Sequence, residues 1–273
     1  QKNFVAMLFG WKRRDSMKRT VRRYREVFLM IARKNGKSPL AAGIALFLFY
    51  CDQEPGAQIF CAAADTEQAA LLFRHAKGMV EYEPELNSRA DIFRGTGHRS
   101  IVLKSDPGSF FRVLSSDANT KHGGNTHAAL IDELHEHRDG TVVNKMQAGF
   151  KSRVQPLLLE IPNTGSDKTS ICWQHHEHSL QVLDGLIADE QWFAYVCQLD
   201  PCAACYAEGY REPREGCAQC DDWTNPAVWL KTNPALSIGL PRIEYLQSQV
   251  DTALAMPSDQ ALVKRLNFCC WTQ

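Results

Sequence analysis

The feature that most constrains this chain is the passage from an apolar, β-prone run, Val27–Ile31, through Ala32-Arg33-Lys34-Asn35-Gly36-Lys37-Ser38 into the helical run Pro39–Tyr50. A strand, a tight loop ending Gly-Lys-Ser and a helix aim backbone N–H groups and the positive end of a helix dipole at one point, which is what a phosphate requires. In that geometry Lys37 reaches the β- and γ-phosphates and the Ser38 hydroxyl binds Mg²⁺. The loop is a variant form, because Ile31 stands five residues before Gly36 where a glycine is usual. Pro39 removes one N–H, but proline is comfortable in a first helical turn. The tripeptide alone is as readily a chance occurrence; the flanking strand and helix turn the reading towards phosphate binding.

From Glu26 to about Pro162 short apolar runs alternate with helical stretches, the pattern of a parallel sheet covered by helices. The expected strands are Val27–Ile31, Gln58–Ala62, Ser100–Leu103, Phe110–Leu114, Ala128–Asp132 and Leu157–Ile161. The expected helices are Ser38–Tyr50, Asp65–Glu81, Gly140–Lys151 and Ser170–Ala188, then Arg242–Ala255 and Ser258–Phe268. Ala128-Ala129-Leu130-Ile131-Asp132-Glu133 is an apolar strand ending in two carboxylates, and ligands gather at the carboxyl ends of parallel strands. There Asp132 would hold Mg²⁺ through its water shell and Glu133 would take a proton from an attacking water. An apolar run ending in Asp-Glu is common. This one gains weight by lying 95 residues after Lys37, room enough for the intervening elements. The reading requires the two turns to meet from adjacent strand tips.

Lys plus Arg and Asp plus Glu number 31 each, so any nucleic-acid binding must come from a local patch and not from an overall positive field. One such patch is Lys12–Arg25, with eight basic residues and one acid; it could contact phosphates, or be a solvated loop before the first core strand. The longest apolar stretch, Leu40–Tyr50, is too short to span a bilayer, so no membrane partner is expected. Gln1 is not an initiator, which suggests a trimmed start.

Cys202-x-x-Cys205 and Cys217-x-x-Cys220 form a C-x₂-C-x₁₁-C-x₂-C pattern, the spacing of a tetrahedral Cys₄ site suited to structural Zn²⁺. The alternative is four unpaired or disulfide-paired thiols in a surface loop. Cys51, Cys61, Cys172, Cys197, Cys269 and Cys270 lie in apolar runs and read as small buried hydrophobes. His175, His176 and His178 sit too close together on one helix to share an ion, and His135 and His137 meet the same objection. Trp173, Trp192, Trp223 and Trp229 read as core and interface.

Several phrases in order resemble the large terminase subunit of tailed bacteriophages. Leu8-Phe9-Gly10-Trp11 precedes the basic stretch; Arg33–Ser38 resembles that family's variant Walker A, and Ile131-Asp132-Glu133-Leu134-His135 its Walker B. Ile161-Pro162-Asn163-Thr164-Gly165 is similar to its coupling segment, and Trp229–Pro234 and Arg265–Phe268 to later landmarks. The resemblance implies an α/β P-loop NTPase of the RecA-like (ASCE) kind, with a core at 1–190 and a lid or linker at 191–273 holding the zinc knuckle at about 200–222. It implies a MgATP-hydrolysing motor moving double-stranded viral DNA into a procapsid, as a homo-oligomeric ring with portal protein and small terminase subunit. Its place would be the host cytoplasm and, transiently, the portal.

Residue by residue, the resemblance makes Gln1 the adenine reader, Arg33 an arginine assisting hydrolysis and Thr164 the nucleotide-sensing group. Lys34, Asn35, Gly36, Lys37 and Ser38 complete the nucleotide loop. Where the family has a trans-acting arginine this chain has Lys121 and His122. The family's nuclease domain would begin about where the chain ends, so no cutting activity is expected of it. A helicase-type translocase on the same fold and a non-hydrolysing, nucleotide-dependent DNA adaptor are the competing readings.

Overall fold

In the computed structural model the apolar runs assemble into a twisted sheet in which six neighbouring strands run parallel. The structure describes residues 1–95, 99–114, 124–137 and 139–272. Among them the sheet has eight strands in the order β10-β3-β9-β8-β4-β7-β6-β5. These are β3 (Glu26–Met30), β4 (Gln58–Ala62), β5 (Ala90–Phe93), β6 (Ser100–Leu103), β7 (Phe110–Val113), β8 (Thr126–Asp132), β9 (Leu157–Ile161) and β10 (Trp192–Val196). From β10 to β7 every pairing is parallel, whereas β6 pairs antiparallel with both β7 and β5. The central strands are buried on both faces, as near-continuous apolar runs require.

Alternate residues divide the core in two. Val27, Leu29, Ile59, Leu130 and Leu159 face one way, against α2 (Lys37–Tyr50) and α3 (Thr66–Tyr82). Phe28, Met30, Phe60, Ile131 and Leu158 face the other, against α5 (Thr141–Ala148) and α6 (Ile171–Leu183). A third cluster of Leu199, Trp229, Leu246, Val250, Ala253, Val263 and Phe268 packs apart from the sheet, under α8 (Trp229–Thr232), α9 (Ile243–Ala255) and α10 (Gln260–Phe268). Among the described residues no helix is long and apolar enough to cross a membrane.

Several elements differ from the sequence expectation. Residues 2–10 form α1 (Lys2–Gly10), whose Phe4 and Leu8, one turn apart, are buried; the Phe4 ring lies 5.2 Å from that of Phe193. The basic stretch is a hairpin, β1 (Lys12–Arg14) with β2 (Thr20–Arg22), not a loop. Its Arg22 is 1% exposed and paired with Asp52, which also meets His127, so part of that charge belongs to the core. β10, beyond residue 190, is an integral edge of the sheet, so the sheet crosses the expected boundary between core and lid. α6 stops at Leu183 because Gly185, at φ 72°, turns the chain and its N–H caps the Val182 carbonyl. Cys51 follows the end of α2 and is exposed rather than buried. Gly149 ends α5's stretch where a side chain could not fit: a Cβ would lie 2.5 Å from the Gly124 carbonyl.

Candidate functional site

The loop between β3 and α2 mixes left-handed and right-handed backbone conformations. Lys34 and Gly36 both have positive φ, 65° and 78°, and for lysine that conformation costs on the order of 1 kcal/mol. Such alternation turns consecutive N–H groups into one concave nest at the start of α2. Gln1 lies over the same turn: its amide donates to the Gly36 carbonyl at 3.5 Å, and a Cβ on Gly36 would meet it at 2.8 Å. Glycine is therefore favoured at 36 by its φ, while a Cβ there would only displace the tip of the exposed Gln1 side chain.

Lys37 points inwards beneath this nest. Its ammonium donates to the Ile31 carbonyl at 2.6 Å, to the Pro162 carbonyl at 2.7 Å and to Asn163 Oδ1. Burial presses its pKa down, opposed by the charges of Glu133 and Asp132 and by the Cys269 thiol. All three acceptors are neutral, so among the described residues no full counter-charge touches the cation. A polyphosphate would supply one.

Asp132 ends β8 and is 6% exposed. Burial and the adjacent Glu133 charge push its carboxyl up to about 6, while its Oδ1 accepts the Glu133 N–H at 3.0 Å. Glu133 sits at φ 51°, a second non-glycine residue forced left-handed, and its Oε2 lies 3.4 Å from Arg33 Nη2 and 3.1 Å from His135 Nε2. Strain at the two turns facing each other is where a built site stores it.

β9 runs between β3 and β8, so the two turns do not come from adjacent strands as expected. The intervening strand delivers Pro162 and Asn163 into the gap, and Asn163 thereby touches both sides: its Oδ1 takes Lys37 and its N–H donates to His135 Nδ1 at 3.1 Å. Thr164, expected to sense nucleotide, is 1% exposed and turns the other way; its hydroxyl donates to the Arg265 carbonyl of α10 at 3.1 Å. Gly165 follows, caught between Trp271 and His135, where a Cβ would meet them at 3.1 and 3.3 Å.

The later segments are fastened to the same loop. Asn35 Nδ2 donates to Asn233 Oδ1 at 2.8 Å, and Asn233 Nδ2 donates to the Asn267 carbonyl at 2.8 Å. The Ala235 N–H reaches Asn35 Oδ1, the Ala32 N–H the Thr232 carbonyl and the Arg33 N–H the Leu266 carbonyl. Both Asn233 and Asn267 are buried, so these bonds are worth keeping. The segments 229–234 and 265–268 thus form the outer wall of the phosphate loop.

The four cysteines of the paired motif lie with their sulfurs within 4.8 Å of one another, none bonded to another. Cys202 and Cys217 sulfurs are 3.9 Å apart, close to the edge of a tetrahedron with bonds of about 2.3 Å. The module is tied outward through Glu212, which meets Lys168 after β9 and the Trp271 N–H after α10. The histidines of α6 take separate partners: His175 with Glu160, His176 with Gln198 and His178 with Asp189.

Of the expected site residues, Gln1, Arg33, Lys34, Asn35, Gly36, Lys37, Ser38, Asp132 and Glu133 occupy the carboxyl edge of one sheet, and Thr164 stands just behind it. Lys121 and His122 lie outside the described residues. Sequence reasoning missed His135 and Asn163. The signal available for His135 was its place two residues after Glu133 on a tight turn.

The family model for the terminase large subunit, ATPase domain, matches residues 1–180. The chain is similar to the terminase large subunit of Enterobacteria phage HK97, 28% identical over 243 residues, covering 88% of this chain and 43% of that protein. It is also similar to protein YmfN of Escherichia coli (strain K12), 29% identical over 131 residues, covering 48% of this chain and 25% of that one. Among solved structures, the HK97 bacteriophage large terminase superposes with a TM-score of 0.76 at 22% identity, over 99% of this chain and 50% of the other. A point mutant of the Thermus phage P74-26 large terminase ATPase domain gives 0.58 at 15% identity, over 100% and 99%. At those identities the superpositions speak for the fold alone. The chain spans less than half the length of the curated relatives it matches.

Proposed function

This chain belongs to the terminase large subunit ATPase-domain family, a family of ATP hydrolases acting on MgATP, and on that premise we propose that it is the motor that drives double-stranded viral DNA into a procapsid. The supporting observation is the convergence of three strand ends on one buried ammonium: Lys37 beneath the β3 loop, Asp132 and Glu133 at the end of β8, and Asn163 from β9 between them.

In this reading the Lys37 ammonium leaves its carbonyl acceptors for the β- and γ-phosphates, and the N–H groups of Lys34–Ser38 cradle them. Ser38 and Asp132 hold Mg²⁺, which when bound offsets phosphate charge. Glu133 accepts the proton of the attacking water, Arg33 counters the charge developing on the γ-phosphoryl group, and Gln1 lies where an adenine would lean on the loop. Thr164 acts as coupling residue by linking the β9 loop to α10, not by touching phosphate. Residues beyond β10 form a lid with its own apolar cluster. Cys202, Cys205, Cys217 and Cys220 bind structural Zn²⁺, which stands in for a core too small to fold alone. Portal protein, small terminase subunit and further copies in a ring are the partners. The host cytoplasm, and the procapsid portal during packaging, is the place of action.

Phosphate release and analogue binding test this with two variants. Lys37→Ala is expected to abolish binding of a nucleotide analogue. Glu133→Gln is expected to bind it normally while turnover falls by about 10²- to 10⁴-fold, the usual worth of a general base. Turnover that survives Glu133→Gln moves the base elsewhere; equal background rates in both forms point to a non-hydrolysing adaptor.

A further inference from the structure

We propose that His135 is a positioning residue: it holds the Glu133 carboxylate and ties it to the loop after β9, so that the occupancy of the phosphate loop is passed to the base. The inference rests on the assignment of Glu133 as base.

The hydrogen bonds fix which ring nitrogen does what. The Asn163 backbone N–H can only donate, so His135 Nδ1, 3.1 Å away, accepts and carries no proton. Burial, aided by the charges of Lys37, Arg33 and Arg265, holds the ring neutral, at a pKa of about 3. The single proton therefore sits on Nε2, which lies 3.1 Å from Glu133 Oε2, within reach of donating to it. The other carboxylate in reach is Glu136, at 3.3 Å; its side chain is 63% exposed against 20% for Glu133, so water competes for it.

The ring is also mechanically confined. Its side chain is 4% exposed, and its Cβ stands so near Gly165 that a methyl group there would come within 3.3 Å of it. A merely packed core histidine would need no carboxylate and no strained neighbour. Here the carboxylate it holds belongs to a residue at φ 51°, and a tether to a fixed ring is what keeps such a side chain in one rotamer.

The connection continues to the nucleotide. Lys37 donates to the Asn163 side chain, Asn163 donates through its backbone to His135, and the far nitrogen of His135 stands 3.1 Å from the Glu133 carboxylate. A triphosphate that draws the Lys37 ammonium away releases the Asn163 side chain while its backbone bond persists. The loop after β9 can then shift, and the imidazole moves the carboxylate with it. No other chain of direct bonds among the described residues joins Lys37 to Glu133 through β9.

Two variants separate the halves of the imidazole. His135→Asn keeps an acceptor where Nδ1 stands but has no donor that reaches Glu133. His135→Gln keeps a donor near the Nε2 position and gives up the acceptor for Asn163. With saturating MgATP, His135→Asn is expected to lose about 10²-fold in kcat, the cost of an ångström-scale misplacement, with the analogue Kd within about threefold of wild type. His135→Gln should recover most of that kcat. In the Glu133→Gln background His135→Asn should cost nothing further, since the group it positions is gone. Wild-type kcat in His135→Asn, or equal losses in kcat and affinity in both variants, overturns the proposal. If Glu133→Gln itself retains turnover, the assignment of the base has failed and not this inference alone. Should His135→Asn not fold, His135→Gln and Gly165→Ala, which pushes on the His135 Cβ, give the same kcat-against-Kd comparison: lowered kcat at unchanged Kd in Gly165→Ala supports the tether and unchanged kcat refutes it.

Discussion

Replacing Asn233 with alanine should loosen the phosphate loop from a distance of two hundred residues of chain. Asn233 is 0% exposed and makes three side-chain bonds: it accepts from Asn35 Nδ2 at 2.8 Å and donates to the Asn267 carbonyl at 2.8 Å and to Thr232 Oγ1 at 3.0 Å. After truncation Asn35 Nδ2 still finds the Ala32 and Arg33 carbonyls, but the Asn267 carbonyl loses its side-chain donor in a buried place. One stranded acceptor at about 1–3 kcal/mol and the net loss of two further bonds at about 0.5–1 each give a destabilisation of roughly 2–5 kcal/mol. For a chain of 273 residues the unfolding entropy is on the order of 0.6 kcal/mol/K, so Tm should fall by about 3–8 °C. Thermal unfolding by circular dichroism measures this directly, and titration with a non-hydrolysable ATP analogue should show weaker binding, because the Asn35 segment is held in its bound form less often. Asn35→Ala and Asn233→Ala combined should cost less than the sum of the two, by about 0.5–3 kcal/mol. Unchanged Tm and affinity in Asn233→Ala would refute the claim that the outer segments brace the loop.

Further outcomes follow from the same structure. Asp132 is raised from 3.8 to about 6 by burial and by Glu133, so the folded metal-free protein holds that proton more tightly than the unfolded chain does. Its contribution to stability is therefore lost as pH rises from about 4 to about 6, by roughly 3 kcal/mol; denaturant midpoints across that range should fall in wild type relative to Asp132→Asn, and parallel curves would contradict the burial argument. A proton on Asp132 competes with Mg²⁺, so the Mg²⁺ concentration giving half-maximal turnover should rise below pH 6. Elemental analysis of freshly reduced protein should find zinc, and a chelator should lower Tm; metal-free protein of unchanged Tm removes the knuckle. Gly149→Ala, whose new Cβ would meet backbone at 2.5 Å, should cost about 1–3 kcal/mol of stability without a matching loss of analogue affinity in the folded protein.

Strands buried on both faces were the most legible part of the chain. Gln58–Ala62, Ser100–Leu103 and Leu157–Ile161 are found with their expected limits, because apolar runs bounded by turn residues leave little freedom. β5 was not legible: an edge strand with only Ala90 buried carries no run to read. α1 hid in nine residues with two buried positions. The convergence of Lys37, Asp132 and Glu133 was readable from strand-end chemistry, but the interposed β9 was not, since strand order is set by crossovers that leave no local trace. The parts of Asn163 and His135 depended on that order. A single asparagine after a proline and a histidine on a turn look like loop residues until β9 brings them together.

The most direct test of the central claim is a crystal structure of the chain with Mg²⁺ and a non-hydrolysable ATP analogue. The account predicts one metal between Ser38 and Asp132, the Lys37 ammonium moved from Asn163 to the β- and γ-phosphates, and Glu133 facing the γ-phosphate. An analogue bound away from the 33–38 loop, or Lys37 still seated on Asn163 beside a filled site, would contradict it.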